Sequence, residues 1–146
     1  MLRDWAEGLA PDSPQEAFDT RVQDLIQEYR SSRRMLHGLG HPIHVDGDPR
    51  VPALRELSRE CGYYGVGWRL LDALEVAYAA QKGKRLPVNG AGAMGAIAAD
   101  LGLDPMVARG LALVGRAAGL VAHVYEESRN PSAPDIWKAT LNAEEH

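Results

Sequence analysis

Apolar side chains recur at three- and four-residue steps along most of this chain, the period of helices that bury one face. Leu2, Trp5 and Leu9 share a face of a short helix over residues 2–10, which Pro11 and Pro14 interrupt. Ser13 suits an N-cap, Pro14 the first helical position and Glu16 the reciprocal capping position, which predicts a second helix to about residue 33. Phe18, Val22, Leu25, Ile26 and Tyr29 form its buried stripe. Arg30, Arg33 and Arg34 gather at its end, where cations complement the helix dipole. A third helix is predicted over 51–61, with Leu54 and Leu57 inward and Gly62 and Gly65 closing it. A fourth, over 66–81, is apolar through Trp68, Leu71, Leu74, Val76 and Tyr78, and stops at the basic turn 82–87.

Residues 89–101 are mostly Ala and Gly with Met94 and Ile97, small enough for another backbone or a ligand to approach closely. Gly102 then reads as a helix stop, Asp104 as an N-cap and Pro105 as a first helical residue. The last long helix is predicted over 105–128, with Val107, Leu111, Val114, Leu120, Val121 and Val124 on its apolar face. Pro131 and Pro134 mark 130–146 as a tail that packs on a partner through Ile136 and Trp137. No alternating strand pattern and no repeat is found. The fold class is all-α, about five to six helices, with residues 1–129 as one domain and 130–146 as its tail.

Composition narrows the function classes. Sixteen basic residues against 20 acidic ones give a formal charge of −4, which argues against a nucleic-acid partner. The single cysteine, Cys61, excludes an intrachain disulfide and fits a reducing, cytoplasmic compartment. No N-terminal stretch resembles a signal peptide, and no run approaches the roughly 20 apolar residues of a membrane span.

One stretch breaks the helical pattern with concentrated chemistry. Residues 38–50 hold His41, His44, Asp46, Asp48 and Arg50 among Gly38, Gly40, Gly47, Pro42 and Pro49. Such a run is neither a helix interior nor a central strand. By composition it is either a plain turn-rich surface loop or a rigid loop that carries function. An imidazole there can donate to a developing oxyanion or move a proton. The guanidinium of Arg50 can clamp a carboxylate bidentately, or simply pair with Asp46 or Asp48. Arg116, amid Val114, Gly115, Ala117 and Ala118, needs a partner, an aqueous cavity or a route to the surface. His37, His41 and His44, with Asp46 and Asp48 close by, carry donor types that zinc accepts, but the intervening Gly and Pro keep them off one helical face. No metal is assigned.

The order Gly38-x-Gly40-His41, a short spacer, then Asp48-Pro49-Arg50 resembles the histidine loop of the citrate synthase and citryl-CoA lyase superfamily. The resemblance runs to about Glu127 and covers the small domain of that family only. It implies that His41 is catalytic, hydrogen-bonding the carbonyl of a 2-oxo acid such as oxaloacetate. It implies that Arg50 and Arg116 bind the dicarboxylate, with Arg129 as a third clamp across a dimer interface. Coenzyme A or acetyl-CoA, as substrate or product, would meet Lys82, Lys84 and Arg85 with its phosphates, with Arg34 on the other wall. Its adenine would lie on the backbone from Leu36 through Gly38 to Gly40. No tightly bound cofactor is implied.

Two departures accompany the match. Where the family carries its proton-abstracting aspartate, this chain has Ala91, which cannot take a proton. The family's other catalytic histidine belongs to a large domain that precedes the small one, and no such segment is present here. The resemblance thus implies a small-domain subunit of a split enzyme, acting as a homo-oligomer or in complex with a separate large-domain chain. The alternatives are a coenzyme A or carboxylate binder without turnover, and a related reaction that needs no carboxylate at position 91.

Overall fold

The computed structural model describes residues 2–143, with side chains to residue 140, and it is helical throughout. The helices are α1 (Leu2–Trp5), α2 (Gln15–Ser31), α3 (Arg50–Glu60), α4 (Val66–Lys82), α5 (Gly90–Asp100), α6 (Pro105–Arg129) and α7 (Ala133–Ala143). Among the described residues the one strand-like pairing is an isolated antiparallel bridge between Leu39 and Val88. Contacts divide the chain into two compact units, residues 1–108 and 109–146, with the division inside α6.

In the first unit α4 packs against α2 on one side and α5 on the other, and α3 and α1 close on α5. The predicted stripes meet here. Phe18, Val22 and Leu25 of α2 and Trp68, Leu70, Leu71 and Leu74 of α4 are fully buried. Each such side chain contributes about 1.5–3 kcal/mol by leaving water. Trp5 of α1 meets Tyr29 edge to face at 5.5 Å and donates its indole N–H to the tyrosine hydroxyl. The buried indole of Trp68 also needs an acceptor, and Ser58 of α3 provides it at 3.0 Å. That demand turns Ser58 inward and leaves Leu57, expected in the core, 55% exposed.

Two glycines before Trp68 have a partner that the helical pattern does not reveal. Asp100, at the end of α5, accepts from the backbone N–H groups of Gly65, Gly67 and Trp68 at 2.9, 2.6 and 3.1 Å. Its carboxylate caps α4 and complements the positive end of that helix. A Cβ on Gly65 or Gly67 would stand 2.9 Å from this carboxylate.

Several local expectations are corrected. α1 is a single turn, ended near Gly8. The Ser13 hydroxyl does not cap α2; it turns back and accepts the N–H of Ala10 at 2.9 Å, closing the preceding turn. α2 stops at Ser31 because Arg33 adopts the left-handed φ of 53°, while Arg34 N–H bonds back to Tyr29 O. The tail contains a seventh helix, α7, where five to six helices were expected in all; Pro134 stands in its first turn, where proline removes no helical bond.

In the second unit Glu127 caps α7, accepting from the N–H groups of Ser132 and Ala133 at 2.8 Å each and from the Ser132 hydroxyl. These bonds, the Ala133 N–H first, hold its carboxyl below the usual range. None of the residues of α6 is buried, and Leu111, Val114, Val121 and Val124 are all more than half exposed. By length and composition, and despite Arg109 and Arg116, α6 contains a stretch long and apolar enough to cross a membrane. The expectation that no segment passes that test is corrected.

Helix α5 is Ala- and Gly-rich because a loop backbone lies on it. A Cβ on Gly92 would stand 2.3 Å from the carbonyl oxygen of Gly38. Gly92→Ala should therefore destabilise the protein by about 3 kcal/mol or more, since backbone must move. Gly110→Ala, with open space around it, should stabilise by about 0.5–1 kcal/mol through helix propensity. Urea melts of both variants check the contrast.

Candidate functional site

The histidine loop is fastened to the segment that leads into α5. Gly40 N–H donates to Pro87 O at 2.7 Å, and Asn89 N–H donates to Gly38 O at 3.0 Å. These bonds flank the Leu39–Val88 bridge and turn the peptide groups of Leu39 outward. The side-chain amide of Asn89 adds two more bonds: its Nδ2 donates to Gly40 O at 2.7 Å, and its Oδ1 accepts Gly92 N–H at 2.9 Å as the cap of α5. Gly40 sits at φ 72°, and a Cβ there would meet Leu86 Cδ1 at 2.7 Å. The positive φ is what calls for glycine at 40.

His41 follows directly, half-buried. The backbone N–H groups of Ile43 and His44 donate to its Nδ1 at 3.1 and 3.0 Å. Both bonds use the Nδ1 lone pair, so the ring proton stands on Nε2. The His44 ring lies 4.6 Å away, tilted by 34°. His41 is thus held as an Nε2–H donor by its own loop. Nothing in the residue pattern signals this tautomer, because both donors are main-chain groups.

His41 forms part of the lining of a cavity of about 530 Å³. Arg34, Leu36, Gly40 and Lys82 line it too, as do Arg30 and Tyr78, which the sequence reading did not assign to a site. Arg34 reaches it by stacking over Tyr29, 4.7 Å from the ring centroid. Helical spacing held the signal for Arg30, since it stands one turn before Arg34. Among the described residues the peptide groups of Leu36 and Leu39 have no internal hydrogen bond. The wall of this cavity combines three cations, Arg30, Arg34 and Lys82, with the main chain of a partly buried Leu36 and a buried Leu39.

Other residues singled out in the sequence stand elsewhere. Gly38 and Ala91 line a second, mostly apolar cavity of about 260 Å³, together with His37, Leu71 and Leu103. Lys84 is exposed, and Arg85 is paired with Glu75 at 3.1 Å. Among the described residues no group of three His, Cys, Asp or Glu side chains is placed to hold a metal ion. Arg116 and Arg129 are exposed on α6 in the second unit; Arg129 stacks over Tyr125 and bonds its hydroxyl.

Arg50 opens α3 and is clasped by Asp48. Its Nε and Nη2 donate to Oδ1 and Oδ2 at 2.9 and 2.7 Å, and its backbone N–H adds a bond of 3.1 Å. Asp48 Oδ2 also accepts Gly90 N–H at 2.9 Å. Arg50 therefore does pair within its loop, but only along one edge. Among the described residues Nη1 has no partner, and the side chain is 65% exposed. Arg50 does not line the His41 cavity, but both residues are anchored to Asn89–Gly90, His41 through Gly40 and Arg50 through Asp48.

Fold and site together define an all-helical domain built around a rigid histidine loop flanked by cations. A family model, citrate synthase C-terminal domain, matches residues 4–139, and the chain belongs to that family. Among solved structures it is similar to citryl-CoA lyase from Hydrogenobacter thermophilus, with 34% identity and a TM-score of 0.70. That match covers 86% of this chain and 46% of the lyase chain, so the chain spans about half the length of this relative. No curated protein matches the chain.

The bonds from Arg50 hold the Asp48 carboxyl well below the usual carboxylate range, with burial opposing them. A group lowered on folding stabilises the protein above its unfolded value, near 4, and that stabilisation is lost as pH falls toward the folded value. Urea melts from about pH 5 to pH 2 should show the wild type losing stability on acidification. Asp48→Asn should be less stable at pH 5 and lose less on acidification.

Proposed function

We propose that this chain is the small-domain part of a citryl-CoA lyase or citrate synthase-type enzyme that breaks or forms a carbon–carbon bond. In this reading an acyl-CoA enters the His41 cavity with its phosphates toward Arg30, Arg34 and Lys82 and its adenine on the backbone of Leu36 and Leu39. Arg50, through the edge that Asp48 leaves uncovered, takes a carboxylate of a 2-oxo dicarboxylate such as oxaloacetate. His41 donates from Nε2 to the ketone oxygen, which carries the developing negative charge as the bond forms and becomes the alcohol of the condensed product. Cleavage runs the same steps backward, with the hydrogen bond stabilising the alkoxide from which the bond breaks. The observation that carries this reading is the imidazole locked with its proton outward at a cavity walled by three cations.

The other catalytic histidine comes, in this reading, from a citrate synthase-like large domain, which we place on a separate chain. The exposed apolar positions of α6 are the surface that such a chain, or a second copy of this one, covers. Ala91 favours a second reading, in which the domain binds coenzyme A or carboxylates without turnover, because no base stands at that position.

Calorimetry on the full chain tests the proposal. Coenzyme A and oxaloacetate should each bind. Arg34→Ala and Lys82→Ala should each weaken coenzyme A by about tenfold, the size of one charged hydrogen bond. No heat with either ligand would end both readings. Cleavage of citryl-CoA by the chain with a recovered large-domain partner separates enzyme from binder, and His41→Ala should abolish it. Elution as a strict monomer at micromolar concentration, with no partner recovered, would count against the assembly.

A further inference from the structure

Asp48 does no chemistry in the reading above, yet its side chain is wholly out of solvent. Burying a carboxylate is costly unless every lone pair finds a donor. Here each oxygen accepts two N–H groups: Oδ1 those of the Arg50 backbone and Nε, Oδ2 those of Nη2 and Gly90. The two parallel bonds along the Nε–Nη2 edge fix the plane of the guanidinium. They leave the Nη1–Nη2 edge pointing away from Asp48 on a side chain that is 65% exposed.

Gly90 completes the arrangement. A Cβ there would stand 2.6 Å from Arg50 Nη2 and 3.0 Å from Asp48 Oδ2. Its N–H also ties the carboxylate to the first residue of α5. The adjacent Asn89 holds Gly40, the residue before His41. The aim of Arg50 and the place of His41 are thus both set from one two-residue segment.

We infer that Asp48, with Gly90 making room beside it, is a positioning residue that presents the outer edge of Arg50, already oriented, to a carboxylate ligand. The inference rests on the reading of Arg50 as a carboxylate clamp. A long, exposed arginine ordinarily loses rotamer freedom when it binds; one already held in plane loses less, and the affinity gained is specific to the carboxylate.

Two variants of the full chain disturb the aim in different ways. Asp48→Asn puts an amide donor among N–H donors, and Gly90→Ala drives a methyl into the guanidinium without changing any charge. In ¹⁵N spectra the Arg50 Nε–H of the wild type should exchange slowly, and in both variants that protection should be lost. In calorimetry both variants should bind oxaloacetate at least tenfold more weakly, while coenzyme A, whose cavity Arg50 does not line, stays within twofold. If the wild type binds oxaloacetate and both folded variants match it, the positioning role is overturned. If both variants lose oxaloacetate and coenzyme A alike, Asp48 is a structural clasp and the role is again overturned. If the wild type takes up no oxaloacetate, the carboxylate-clamp reading itself fails, and the inference with it. Should Asp48→Asn not fold, Gly90→Ala decides alone.

Discussion

Leu39 joins the hydrophobic core, but Ile43 and Val45 of the histidine loop stay exposed. Beyond that contact, the loop is held by a short set of polar bonds to residues 87–92, and most of the site depends on them. Asn89 and Pro87 take the Gly38 and Gly40 peptides, Gly92 lets the loop backbone lie on α5, and Asp48 reaches the start of α5 through Gly90 N–H. A loop secured at both ends in this way can hold an imidazole and a guanidinium in fixed orientation without burying either. Preorganisation of this kind is what binding and transition-state stabilisation both require.

The same segment explains the composition of α5. A helix of Ala and Gly is a poor source of buried area, and its propensity is lowered by each glycine. Its function here is to be thin. Gly90 admits the Arg50 guanidinium, Gly92 admits the Gly38 carbonyl, and Ala93 and Ala96 are fully buried against the core. The stability this forgoes is recovered in the Phe18, Leu25, Trp68 and Leu74 core between α2 and α4. The second unit is different in kind: none of the residues of α6 is buried.

Much of this was legible in the residue pattern. The helical class, the extents of α4, α5 and α6 to within a residue or so, and the Asp104 cap followed from period and capping chemistry. The resemblance of the histidine loop led to the family that the comparisons show. Arg34, Leu36, Gly40, His41 and Lys82, named from sequence, do meet at one cavity. Leu57, the Ser13 cap and the helix α7 escaped the residue pattern for a common reason. Each depended on a partner distant in sequence or on a competing local bond: the Trp68 indole for α3, Ala10 N–H for Ser13, Glu127 for α7.

The order of residues by itself determined which segments coil, which face of each is apolar, and that a loop of Gly, Pro, His, Asp and Arg interrupts them, because those properties are set by neighbours within a few positions. Only the tertiary structure decided that the Asp48 carboxylate also takes the N–H of Gly90 and that Asn89 belongs to Gly40. Hydrogen bonds between residues some 40 to 50 positions apart choose among donors and acceptors that are chemically alike. Only the folded geometry distinguishes them.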